Sequence, residues 1–134
     1  MTDTPIRVAV VGSGNIGIDL CERLVYDSEF EVVSIVGRRP DSPGLERFRT
    51  RIASVLSGGI DEFLSIASEV EGVFDATSAF DHEHHWRALS ELGMWMVDLT
   101  PSRVGVPMVP VLIGRTPLRQ IAESDEMANY SMVT

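Results

Sequence analysis

The chain has 134 residues, 44% of them hydrophobic and 23% charged, which suits one soluble globular domain with an ordinary core. Its formal net charge of −9 argues against a nucleic-acid or anionic-membrane partner, whose phosphates demand basic patches. All eleven basic residues are arginine, which excludes a Schiff-base lysine, a P-loop lysine and a Tyr-x-x-x-Lys dehydrogenase pair.

The opening stretch MTDTPIRVAV has an acid and a proline where a signal peptide needs a basic start and an apolar core. No apolar run approaches the roughly 20 residues that span a bilayer. The lone Cys21 rules out an internal disulfide, so a cytoplasmic location is the default expectation. Residues 6–11 are β-formers without helical periodicity, as in a strand buried on both faces of a parallel sheet. After a glycine turn, residues 15–26 predict a helix with Ile16, Leu20 and Leu24 on one stripe. Residues 31–36 form a second apolar strand, ended by the turn-rich GRRPDSPG.

A short helix over 45–52, a weak third strand over 53–56 and a helix over 60–70 follow. Residues 72–76 predict a fourth strand, ending in DATSA. A helix over 81–92 is closed by Gly93, and residues 95–99 make a fifth strand ending in DLTPS. Beyond Arg103 the pattern weakens. TPLRQIAE, 116–123, suggests a helix with Pro117 in its first turn, and YSMV, 130–133, a sixth strand. Alternating strands and helices predict an α/β fold, a doubly wound parallel sheet of the Rossmann type, as a single domain over 1–134. Ligands on such sheets bind beyond the carboxyl ends of the strands, where Gly12, Arg38, Ser78 and Thr100 all fall.

Gly12-Ser13-Gly14-Asn15-Ile16-Gly17 fits G-x-G-x-x-G between a strand and a helix, the context that a dinucleotide fingerprint requires. Gly12 permits the tight turn, Gly14 lets a pyrophosphate approach the backbone, and Gly17 lets the helix pack on the strand. The helix N-terminus adds free N–H groups and positive dipole. A purely structural turn is the plainer reading of the same glycines. The end of the second strand carries Arg38 and Arg39 rather than an acid, which favours a 2′-phosphate and hence NADP over NAD. The competing reading makes both arginines solvated turn residues.

The stretches VVGSGNIGIDL, VFDATSA, DLTPSRVGVPMVPV and YSMVT together resemble the N-terminal half of acylating acetaldehyde dehydrogenases, over nearly the whole chain. The resemblance implies an oxidoreductase that converts an aldehyde, coenzyme A and NAD to an acyl-CoA, often paired with an aldolase. It implies that Ser13, Gly14, Asn15 and Ile16 line the cofactor phosphates and that Ala76, Thr77 and Ser78 follow the dinucleotide toward its nicotinamide end. Where the family has an acid after the second strand, this sequence has Arg39. The family continues MVT with its nucleophilic cysteine, and this sequence stops at Thr134, before that residue and before the substrate and dimerisation domain. Cys21, a full turn into the first helix, reads as a packing residue rather than a substitute nucleophile.

The run Asp81-His82-Glu83-His84-His85 allows a metal reading, but no third fixed ligand is evident, and a solvated face or a rim of the cofactor cleft is the simpler account. Trp86 and Trp95 read as core or interface residues. Three functional readings stand: part of a longer acylating enzyme, a stand-alone NAD(P)-binding module, or a small reductase using His82, His84 or His85 as proton donor. An apolar stretch over 104–113 and an open edge on the last strand predict a homodimer or a partner chain over 104–134.

Overall fold

The computed structural model describes residues 4–99 and two further strand segments, Val106–Met108 and Asn129–Met132. The elements are β1 (Ile6–Val11), α1 (Asn15–Val25), β2 (Phe30–Val36), α2 (Pro43–Glu46), β3 (Ser54–Leu56), α3 (Gly59–Leu64), a 3₁₀ turn (Ala67–Glu69), β4 (Gly72–Asp75), α4 (Ala79–Ser90), β5 (Trp95–Asp98), β6 (Val106–Met108) and β7 (Asn129–Met132). The described strands form one sheet in the order β3-β2-β1-β4-β5-β7-β6, and every pairing is parallel.

Parallel strands must be joined by crossovers, and here the crossovers cover both faces of the sheet. Side chains alternate along β1: Ile6, Val8 and Val10 join a core with Leu20, Cys21 and Leu24 of α1 and Leu45, Phe48 and Ile52 beyond β2. Ala9 and Val11 point the other way, into a core with Phe63 of α3, Ala67, and Leu89 of α4. β4 splits similarly, Phe74 to the first core and Val73 to the second. Phe74 meets Phe30 and Trp95 edge to face, at 6.0 and 5.5 Å between ring centroids, and Trp86 packs against the second core. Both tryptophans are therefore packing residues.

The first expected strand stands, and most others shift by a residue at an end. Several expectations are corrected. The buried stripe of α1 is Gly17, Leu20, Cys21 and Leu24, while Ile16 is 47% exposed. A helix over 45–52 is only the four-residue α2 followed by turns, although Leu45, Phe48 and Ile52 are buried as its period required. The helix over 60–70 stops at Leu64, where the Ser65 hydroxyl donates to the Glu62 carbonyl oxygen at 2.6 Å, and a 3₁₀ turn completes the crossover. Gly93 ends α4 as expected, at φ +73°.

The last strand is not at an edge: β7 lies between β5 and β6. β6, which periodicity did not single out, is the outermost described strand on that side. Thr100 and the expected helix over 116–123 lie outside the described residues.

Candidate functional site

In chain order β1 is followed by β2 on one side of the sheet, whereas β4 pairs with its other side. Crossovers leave the two sides in opposite directions, so a crevice opens where β1 ends, at the topological switch point. The backbone continues the sheet there: Gly12 N–H donates to Val36 at 2.7 Å and Ala76 N–H to Val11 at 2.7 Å. The result is a cleft of about 330 Å³ lined by Gly12, Ser13 and Gly14 from β1, Gly37, Arg38, Arg39 and Ser42 after β2, and Ala76, Thr77, Ser78, Asp81 and His85 after β4. Three turns distant in sequence thus meet in one cavity.

The three motif glycines separate by what a side chain would meet. At Gly12 the backbone has φ +117°, and a Cβ would lie 2.9 Å from the Ala76 carbonyl carbon. At Gly17 a Cβ would sit 2.1 Å from the Gly12 oxygen. Both glycines serve the fold. Gly14 differs, with φ −78° and ψ −172°, open to any residue, and nothing within 4 Å of a Cβ. The fold does not ask for glycine at 14.

Gly14 is also the N-cap of α1, where no side chain caps the helix and no acid occupies the first turn. Donor N–H groups and positive dipole are left facing the cleft, the physical basis of anion binding at a helix start. Asn15 and Ile16 are exposed on this first turn beside the cleft without lining it, and Gly17 is buried beneath it.

After β2, the Ser42 hydroxyl donates to Ser13 Oγ at 3.1 Å, which ties the second turn to the glycine loop. Arg39 is exposed. Arg38 forms an ion pair with Asp81 of α4. Asp81 is itself held, since its Oδ2 accepts the Ser78 hydroxyl at 2.9 Å while its N–H donates back to Ser78 Oγ at 3.3 Å. That reciprocal bond caps α4.

After β4, Asp75 is fully buried and organises its turn. Its Oδ1 accepts the Thr77 N–H at 2.9 Å and the Thr77 hydroxyl, and its Oδ2 accepts His85 Nδ1–H at 2.9 Å. His85 is 4% exposed, so the solvated-face reading is corrected for it: it packs inward, at the cleft. His84 is exposed, and the side chain of His82 lies outside the described residues. Among the described residues no three His, Cys, Asp or Glu side chains group as metal ligands.

Cys21 lies in the core with no exposure, and burial pushes its thiol up to about 12. A thiol that neutral at physiological pH is not a nucleophile. The sequence did not mark Gly37, Ser42 or Asp81 as site residues. Gly37 offered a signal after the fact, because a Cβ there would come within 2.7 Å of Ser13 Oγ.

No family model matches the chain. Curated relatives do: it is 46% identical over 106 residues to an acetaldehyde dehydrogenase of Geobacillus thermodenitrificans, covering 78% of this chain and 36% of the relative. It is 38% identical over 138 residues to acetaldehyde dehydrogenase 1 of Comamonas testosteroni, covering 100% of this chain and 43% of that one. The chain is a homologue of the N-terminal part of acetaldehyde dehydrogenases. It spans about two fifths of the length of the curated relatives it matches.

Solved structures agree on the fold. GenD2 from gentamicin A biosynthesis, in complex with NAD, superposes with a TM-score of 0.64 at 23% identity, over 96% of this chain and 34% of its own. KijD10, a 3-ketoreductase from Actinomadura kijaniata in complex with NADP, gives 0.59 at 22%, over 88% of this chain and 34% of its own. The architecture is that of Rossmann-type proteins.

Proposed function

We propose that this chain, over 1–134, is the NAD(P)-binding part of a CoA-acylating aldehyde dehydrogenase, with NADP favoured over NAD. The observation that carries the reading is Gly14. Its backbone conformation is open to any residue and its Cβ position is empty, yet it is glycine at a helix start that nothing caps. A ligand that approaches the backbone closely explains it, and a pyrophosphate suits the uncapped helix dipole. Support comes from the acetaldehyde dehydrogenase homology and from Rossmann-type neighbours solved with NAD or NADP.

The dinucleotide would run from Arg38 and Arg39, across Gly12, Ser13 and Gly14 with Asn15, Ile16 and Gly17 at the helix start, to Ala76, Thr77 and Ser78. Arginine presents a planar fork of donors that matches a phosphate, which is why the 2′-phosphate is favoured. When bound, the nicotinamide supplies hydride acceptance. Asp75 holds the 76–78 turn rigid through Thr77 and His85. No residue of this chain is assigned as the thiol nucleophile. A homodimer or a partner chain over 104–134 and a cytoplasmic location complete the proposal, and no described helix is long and apolar enough to cross a membrane.

A second reading, a small NAD(P)H-dependent reductase, is favoured by one observation: His85 lines the cleft with Nδ1 held by Asp75, the geometry of a positioned proton donor. Turnover of an aldehyde or imine panel by this chain alone would favour it.

The test of the first reading is calorimetric titration with NADP and NAD. Gly14→Val should stay folded and lose at least about tenfold in affinity, roughly 1.4 kcal/mol, because its methyl groups fill the phosphate approach. NADP should bind the unmodified chain more tightly than NAD. Unchanged affinity in a folded Gly14→Val chain would remove the glycine loop from the site.

A further inference from the structure

Arg38 is committed to a partner. It stands two residues beyond β2, and Asp81 lies in the first turn of α4, beyond β4. Those two strands flank β1 on opposite sides, so the Arg38–Asp81 ion pair bridges the end of β1, from one wall to the other of the cleft that Gly12, Ser13 and Gly14 floor. The pair is lopsided: the Arg38 side chain is 65% exposed and Asp81 22%. Asp81 is the fixed member, held by the Ser78 hydroxyl at 2.9 Å, and Arg38 is the one that can swing.

We propose that Asp81 is a specificity-determining positioning residue that acts through Arg38, holding the guanidinium across the cleft in competition with the 2′-phosphate of NADP. This rests on the reading of the cleft as a dinucleotide site with Arg38 at the 2′ position. A carboxylate offers two acceptor oxygens to the arginine fork, as a phosphate does, so the two compete for the same donors. A largely exposed ion pair is weak, so the competition tunes affinity rather than blocking it. NAD carries a neutral hydroxyl at the 2′ position and has little to gain from a released arginine. Asp81 therefore narrows the preference for NADP that Arg38 and Arg39 set up.

The experiment is a binding titration of the whole chain with NADP and with NAD, at low and high salt, for Asp81→Asn, Arg38→Ala and the double variant. Asn keeps an oxygen for the Ser78 hydroxyl and the backbone N–H that caps α4, so the helix start survives. Asp81→Asn should tighten NADP by roughly five- to tenfold at low salt and by less at high salt, with NAD moving less than about twofold. In the Arg38→Ala background the gain should vanish. Unchanged NADP affinity, equal shifts for both cofactors, or a gain that persists without Arg38 would each overturn the proposal while the cleft assignment stands. If Arg38→Ala leaves NADP binding unaltered, or neither cofactor binds the unmodified chain, the underlying reading fails and the proposal with it.

Discussion

Cys21 shows how far one residue's identity falls short of its chemistry. A lone cysteine in a sequence related to thiol-dependent enzymes invites a catalytic role, yet its place on α1 decides otherwise. It has no exposure, and desolvation by burial is the main reason its thiol rises to about 12, with the nearby Glu22 charge adding to it. A raised value keeps the thiol neutral from pH 7 through 9, and it ionises readily there only once the chain unfolds. Alkylation by iodoacetamide at pH 8 should therefore be slow in the native chain and fast in urea, as read by intact mass. Rapid native labelling would place Cys21 outside the core. The same residue-by-residue logic sorts the glycines. The motif pattern made all three alike, and only the Cβ environments show that Gly12 and Gly17 answer to the fold and Gly14 does not.

At the scale of elements, α4 joins the fold to the cleft. Ser78 caps it, bonds Asp81 and lines the cavity, so one hydroxyl serves helix and site together. Ser78→Ala should cost about 1 kcal/mol of stability, the ordinary value of an N-cap serine. Urea denaturation followed by circular dichroism checks it, and an unchanged midpoint would show the cap to be dispensable. α4 was legible because its end carries Gly93 at φ +73°. α3 was legible in type but not in length, since a hydroxyl bonding back to Glu62 competes with the next helical turn and no periodicity registers that. The 45–52 segment shows the converse: its buried positions were readable although its backbone mostly turns rather than coils.

For the whole molecule, the sheet order sets where the chain can meet another. Expecting the last strand at an edge placed an open ladder on β7, but β5 and β6 flank it. β6, three residues with Pro107 at its centre, is the outermost described strand on that side. Proline removes a donor from that ladder, a common way to blunt an edge. Association through the sheet must therefore use the β6 side or the short β3 at the other end. The proposed homodimer should appear as twice the chain mass in light scattering at low micromolar concentration. A strict monomer would reject it.

The sequence by itself determined the class of fold, because apolar runs long enough for buried strands, alternating with helical periods, admit little besides a parallel sheet with helices on both faces. It also determined one wall of the site, since G-x-G-x-x-G between a strand and a helix is a local pattern with a local cause. What lies across the cleft was decided only by tertiary structure. Arg38 and Asp81 are far apart in sequence and meet because β2 and β4 pair with opposite sides of β1. His85, one of three histidines in a polar run, became a buried partner of Asp75 only when α4 packed back onto the sheet. Local patterns record what each segment prefers, while pairing order and crossover direction decide which distant side chains share a cavity.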